Sequence, residues 1–162
     1  MEKEAVVADN TVLSNFALIK REDILAKLFE NTLFTTEEVI IDELKRGEQR
    51  NVLPKRDWQW IRVLKVESSQ EEFLFRLLAE SLGKGESSCL SIAISRDLKV
   101  LTDDRDARKL AQRRGVPVSG TIGVLVEAVR AGLLSVEEAN TMLSDMIEKG
   151  YFSPFETLDE LI

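Results

Sequence analysis

The feature that most narrows what this chain can fold into is a rhythm: apolar runs too short to be helices alternate with longer segments of helical spacing. AVVA (5–8), the apolar pair at 33–34, WQWIRVLKV (58–66), KVLT (99–102) and VPV (116–118) have strand-like length and composition. Between them, helical spacing covers 12–29 with a break near Lys20, then 36–46, 69–82, 86–96 and 104–114. Gly47 reads as the stop of the second of these blocks. Phe73, Leu74, Leu77 and Leu78 read as one apolar face of the third. Strands joined through helices pair in parallel and need both faces covered. The expectation is therefore an α/β fold with three layers, α/β/α, around a central, mainly parallel sheet. Two extra helices at 121–131 and 135–149 follow, the second opened by a capping box of Ser135 and Glu138. No repeat or linker interrupts the chain. Residues 1–162 are read as one domain, a core at about 5–120 with a C-terminal helical extension at about 121–162.

Composition removes several chemistries. Histidine is absent, which removes the commonest general base and zinc ligand, and a single cysteine, Cys89, excludes an intrachain disulfide. Any acid-base or metal chemistry must then rest on carboxylates, which favour hard cations such as Mg²⁺ or Mn²⁺. A net charge of -7 argues against a surface that coats nucleic acid through uniform positive charge. No apolar run approaches a membrane span and MEKEAVVADN is not a secretory signal, so no membrane association and a cytoplasmic location are expected. One local exception to the acidity is the basic stretch 45–65, where Trp58 and Trp60 with Arg56 and Arg62 suggest a stacking surface for single-stranded RNA.

The acids stand where strands should end. Asp9 follows AVVA and precedes a helix, although Asp9 or Thr11 would also serve there as a cap. On an α-helix Glu43 shares a face with Val39 and Ile40, whereas Asp42 points away with Glu38 and Arg46, so the pattern favours Glu43. Glu86 opens a helix, where an acid also suits the helix dipole. After KVLT comes DDRD, in which Asp103 or Asp104 would cap the next helix and Asp106 adds a third charge. Ligands in open parallel sheets gather beyond the carboxyl ends of the strands. If the strands that end at Asp9 and at Asp103 and Asp104 are neighbours, those acids share one crevice and Glu43 and Glu86 can complete it. Unpaired carboxylates in such a place require raised pKa values or a divalent cation. Beside them, Arg105, Arg108, Lys109 and Arg113 form a basic strip, and SGTIG presents free N–H groups at a helix start, which suit a phosphate or a plain turn.

With these residues identified, the chain resembles a PIN domain over roughly residues 5–120. The resemblance is carried by Asp9 in VVADNTVLSNF, Glu43 in EEVIIDEL, Glu86 in GKGESSCLSIA, and Thr102 with Asp104 in LTDDRDA. Glu86 departs from the aspartate usual at the third position. SGTIGVLVEAVRAGLLS and GYFSP resemble a PIN-like prokaryotic subgroup, and the whole is similar to the VapC-type toxins. The resemblance implies a ribonuclease whose acidic site holds one or two Mg²⁺ or Mn²⁺ ions. It makes Asp9 and Asp104 the principal ligands, Glu43 and Glu86 ligands or water-positioning groups, and Asp103 and Asp106 candidates behind them. Asp42 versus Glu43 and Asp103 versus Asp104 stay open in that pattern. Thr11, Thr102, Arg105, Arg108 and Lys109 would meet an RNA substrate. An antitoxin-like protein partner and a homodimer are also implied. The competing implication is a catalytically silent PIN-fold module that binds RNA or a protein.

Overall fold

The computed structural model describes residues 4–162. Its centre is a five-stranded sheet in the order β3-β2-β1-β4-β5, with every pairing parallel. The strands are β1 (Val6–Ala8), β2 (Leu33–Thr36), β3 (Arg62–Leu64), β4 (Lys99–Leu101) and β5 (Val118–Ser119). The chain lays β1, β2 and β3 outward in one direction, then returns to place β4 on the other side of β1. The switch point thus lies between β1 and β4, where Ala8 pairs with Leu101 and the Asp9 N–H continues the ladder to the Leu101 carbonyl at 3.0 Å. Crossovers leave a crevice at that point.

Helices cover the sheet in two groups, giving the expected α/β/α arrangement. Helices α1 (Asn10–Leu18), α2 (Glu22–Phe29), α7 (Thr121–Arg130) and α8 (Val136–Glu148) pack with one another. Helix α5 (Lys84–Arg96) lies on β1, β2 and β4 between α4 (Ser69–Leu78) and α6 (Arg105–Arg113). α5 can lie so deep because its early turns are Ser87, Ser88, Cys89 and Leu90, small or apolar and all buried. One apolar core joins strand residues such as Val7 and Val100 to Leu134, Leu143, Met146 and Leu158 of the C-terminal region. Among the described residues no helix is long and apolar enough to cross a membrane.

Most element boundaries follow the local sequence signals. The break between α1 and α2 falls at Lys20, which takes a left-handed φ of 56°. The Ser135–Glu138 capping box is present at α8. Three expectations are corrected. The second helical block does not stop at Gly47: it passes through a π-helical segment, Val39–Leu44, into α3 (Lys45–Gln49). The strand expected at 58–66 is confined to Arg62–Leu64, and Trp58 and Trp60 lie in the turn before it. On α4 only Leu74 and Leu78 are buried, while Phe73 and Leu77 face outward. The third buried side chain of that helix is an acid, Glu71, which pairs with Arg96 of α5.

Candidate active site

At the end of β1 the chain must turn from strand to helix, and Asp9 makes the turn as the cap of α1. Its carboxylate is wholly buried. Thr11 donates to Oδ1 through its N–H at 3.0 Å and its hydroxyl at 2.5 Å. Thr102, directly across the sheet at the end of β4, donates its hydroxyl to Oδ2 at 2.5 Å. The same two hydroxyls accept from the next strand end: Asp103 N–H donates to Thr11 Oγ1 at 2.8 Å and Asp104 N–H to Thr102 Oγ1 at 3.1 Å. Burial pushes the Asp9 carboxyl up to about 7 despite those hydroxyls, and the charges of Glu86 and Asp103 add to the rise.

Glu43 and Glu86 arrive from the helical layer. The π-helical segment packs on α5, and the start of α5 is pinned to β2 by the Thr36 and Ser88 hydroxyls at 2.7 Å. This brings Glu43 against the backbone of Gly85, so closely that a Cβ there would stand 1.3 Å from Glu43 Oε1. Only glycine admits that approach. Glu43 Oε1 is buried without a hydrogen-bond partner. Burial, then the charges of Glu86, Asp9 and Asp42, push its carboxyl up to about 8. Burial, with the charge of Asp104, also raises Glu86.

Asp9, Glu43, Glu86 and Asp104 are therefore within reach of one another's fields, as convergence at a switch point predicts. They are not drawn onto one point: among the described residues no three acids, histidines or cysteines are grouped to hold a metal ion. Asp104 spends Oδ2 on the Ala107 N–H at 2.8 Å as the cap of α6. Asp103 turns toward α7, accepting from Thr121 N–H at 2.9 Å, the Thr121 hydroxyl at 2.5 Å and Asn15 Nδ2 at 3.1 Å. The N–H that SGTIG presents is thus satisfied by a carboxylate of the same chain. Asp106 is exposed on α6 and is not among the charges that raise Asp9, Glu43 or Glu86. Asp42 is half-buried and acts on Glu43 as a like charge.

Of the basic strip, Arg108 is half-buried and donates to the Thr102 carbonyl at 3.0 Å, while Arg105 and Lys109 are exposed. The tryptophans pack on the core with ring centroids 6.0 Å apart. Arg56 is held in an ion pair with Glu22, and Arg62 lies over the Phe34 ring at 5.7 Å. Both tryptophans stay partly exposed in the turn before β3, with Arg56 and Arg62 each engaged within the chain. Sequence reasoning passed over Asn15 and Thr121. No local signal singles out Asn15, since α1 also carries Asn10, Thr11 and Ser14 and its partner Asp103 is 88 residues away.

Residues 5–162 match the family described as PIN domain, DUF3368. Among solved structures the chain is similar to PAE2754 from Pyrobaculum aerophilum, with a TM-score of 0.54 and 19% identity over 78% of this chain and 90% of that one. At that identity the likeness speaks for the fold. No curated protein matches the chain.

Proposed function

The chain belongs to the DUF3368 family of PIN domains, a nuclease-like family, and from that premise we propose that it is a metal-dependent ribonuclease that hydrolyses phosphodiesters of RNA at the β1/β4 switch point. One observation supports this above the rest: Glu43 keeps a buried, unpartnered oxygen beside other acids, a cost that a bound cation would remove. The donor set is all oxygen, which fits Mg²⁺ or Mn²⁺. Asp9, Glu43, Glu86 and Asp104 would hold one or two such ions. A divalent cation there supplies a water of lowered pKa and a grip on the scissile phosphate.

The protein's own part is placement and proton control. Thr11 and Thr102 fix the plane of the Asp9 carboxylate and join it to the backbone of the β4 strand end. Glu43 holds a proton at neutral pH while the site is metal-free, so a cation must displace it and binding strengthens as pH rises. Arg108 is anchored beside the cluster and offers positive charge toward an incoming phosphate. An antitoxin-like partner and a homodimer belong to the same proposal.

A second reading has its own observation. Both Asp9 oxygens are occupied by hydroxyls and, among the described residues, no three acids are grouped as ligands, which suits a silent module that binds RNA or a protein. Two measurements separate the readings. Mn²⁺ at a hundredfold excess over its dissociation constant should stabilise the ribonuclease by about 2.7 kcal/mol, and Asp9→Asn should abolish that gain. The same substitution should cut cleavage of single-stranded RNA about a hundredfold or more, matching the several kcal/mol a metal-held charge contributes. Equal cleavage by both preparations, or no Mn²⁺-dependent gain, selects the silent module.

A further inference from the structure

Beyond the acid cluster, the C-terminal segment does something that a core-forming tail would not. Gly150 turns the chain at a φ of 113°, and Tyr151 N–H then bonds back to the Met146 carbonyl at 2.9 Å. Downstream, the buried Leu158 is tied through its N–H to Asn140 Oδ1 at 2.8 Å. Ser153 closes a local turn with Phe155 through its hydroxyl, which accepts from the Phe155 N–H at 3.1 Å. Between these fixed ends Phe152 is left 98% exposed. Its segment forms one wall of a groove of about 630 Å³ whose other wall is α6, with Arg105, Arg108, Lys109, Tyr151, Phe152 and Phe155 around it. Asp103, the sequence neighbour of Asp104, lines the same groove, so the groove lies beside the strand end that carries Asp104.

A chain with an excess of acids has here gathered three cations opposite three aromatic rings. Cations alone would suit any anion, and exposed rings alone any apolar surface. The two together across one groove match a strand that offers phosphates to one wall and unpaired, stackable bases to the other. We propose that this groove seats single-stranded RNA, with Phe152 as the platform for one base and Arg105 and Lys109 on the flanking phosphates. The proposal rests on the ribonuclease reading for its direction, since it names how the substrate would approach that site.

Binding of a fluorescein-labelled single-stranded RNA, followed by anisotropy with EDTA present, tests it apart from cleavage. Phe152→Ala should weaken binding roughly 5- to 150-fold, the fold-change of ~1–3 kcal/mol per stacked base, while Phe152→Trp should preserve it. Arg105→Ala with Lys109→Ala should flatten the salt dependence. The same RNA annealed into a duplex should bind more weakly than the single strand. Absence of wild-type binding, or unchanged affinity in Phe152→Ala, overturns the groove, as does a change of oligomeric state in that variant without loss of RNA affinity. If Phe152→Ala binds normally while Asp9→Asn abolishes cleavage, the groove fails and the nuclease stands. If Phe152→Ala loses binding while neither protein cleaves, the groove stands and the nuclease fails.

Discussion

Glu71 and Glu43 are the same residue type, each removed from bulk water on the α4–α5 side of the sheet, and the fold treats them in opposite ways. Glu71, 2% exposed, receives Arg96 through Nε at 2.8 Å and Nη2 at 3.0 Å, and the Glu67 and Ser68 N–H groups at 3.0 and 3.4 Å. With the Ser68 hydroxyl on its own N–H it completes the capping box of α4. The Arg96 guanidinium holds its carboxyl down at about 2. Glu43 receives no cation, leaves Oε1 bare and is pushed up to about 8. A buried carboxylate that serves stability has its lone pairs filled by the fold itself. One whose lone pairs are left open, beside other acids, lowers stability.

The contrast can be broken first at its strong end. Glu71→Ala removes both the cap and the ion-pair partner of Arg96, and should cost about 3 kcal/mol, or roughly 6–12 °C in melting temperature. Differential scanning calorimetry measures this, and the Mn²⁺-dependent gain should survive the substitution. A smaller effect separates the two glutamates by pH. Asp9 and Glu43, at about 7 and about 8 in the fold, keep protons there that the unfolded chain has already released. In EDTA the melting temperature should therefore rise as pH falls from above 8 toward 5. Glu71 has the reverse sign: its contribution is complete above the ordinary glutamate value of 4.5 and is lost as pH falls through about 2. The two together predict a stability maximum at about pH 4, close to the ordinary carboxylate values where their windows meet, and saturating Mn²⁺ should shift it upward. The smallest change sharpens the comparison most. Gly85→Ala sets a Cβ 1.3 Å from the present position of Glu43 Oε1 and so displaces that carboxylate. Alanine suits a helix by about 1 kcal/mol more than glycine, so overall stability should stay within about that amount. The Mn²⁺-dependent shift in melting temperature should nevertheless vanish. Its persistence would mean that Glu43 is not a ligand.

What the sequence revealed was governed by range. The strand ends at Asp9 and Thr102, the break at Lys20 and the Ser135–Glu138 box are set by neighbours a few residues away, and each stands where local spacing put it. The placement of Asp9 and Asp104 beside one another was legible because strand-ending carboxylates in a parallel sheet have few places to go. The importance of Glu71 was hidden, since its partner Arg96 lies on another helix and no local pattern joins them. Asn15 and Thr121 were passed over for the same reason: their target, Asp103, is 88 and 18 residues away. Trp58 and Trp60 misled because strand composition describes a half-buried surface equally well when the backbone turns. The groove beside α6 needs tertiary proximity between a helix and a tail that share no pattern.

The π-helical segment carries one consequence of its own. Lys45 N–H reaches back five residues to the Ile40 carbonyl, so Val39–Leu44 holds one residue more than an α-helix would need for that span. Excising a single outward position such as Ile41, which is 54% exposed, would regularise the ladder and tighten the helix. It would also rotate Glu43 by about 100° relative to everything upstream, swinging it off Gly85. The surplus residue works as a shim: the helix tolerates poorer geometry so that one carboxylate can be aimed.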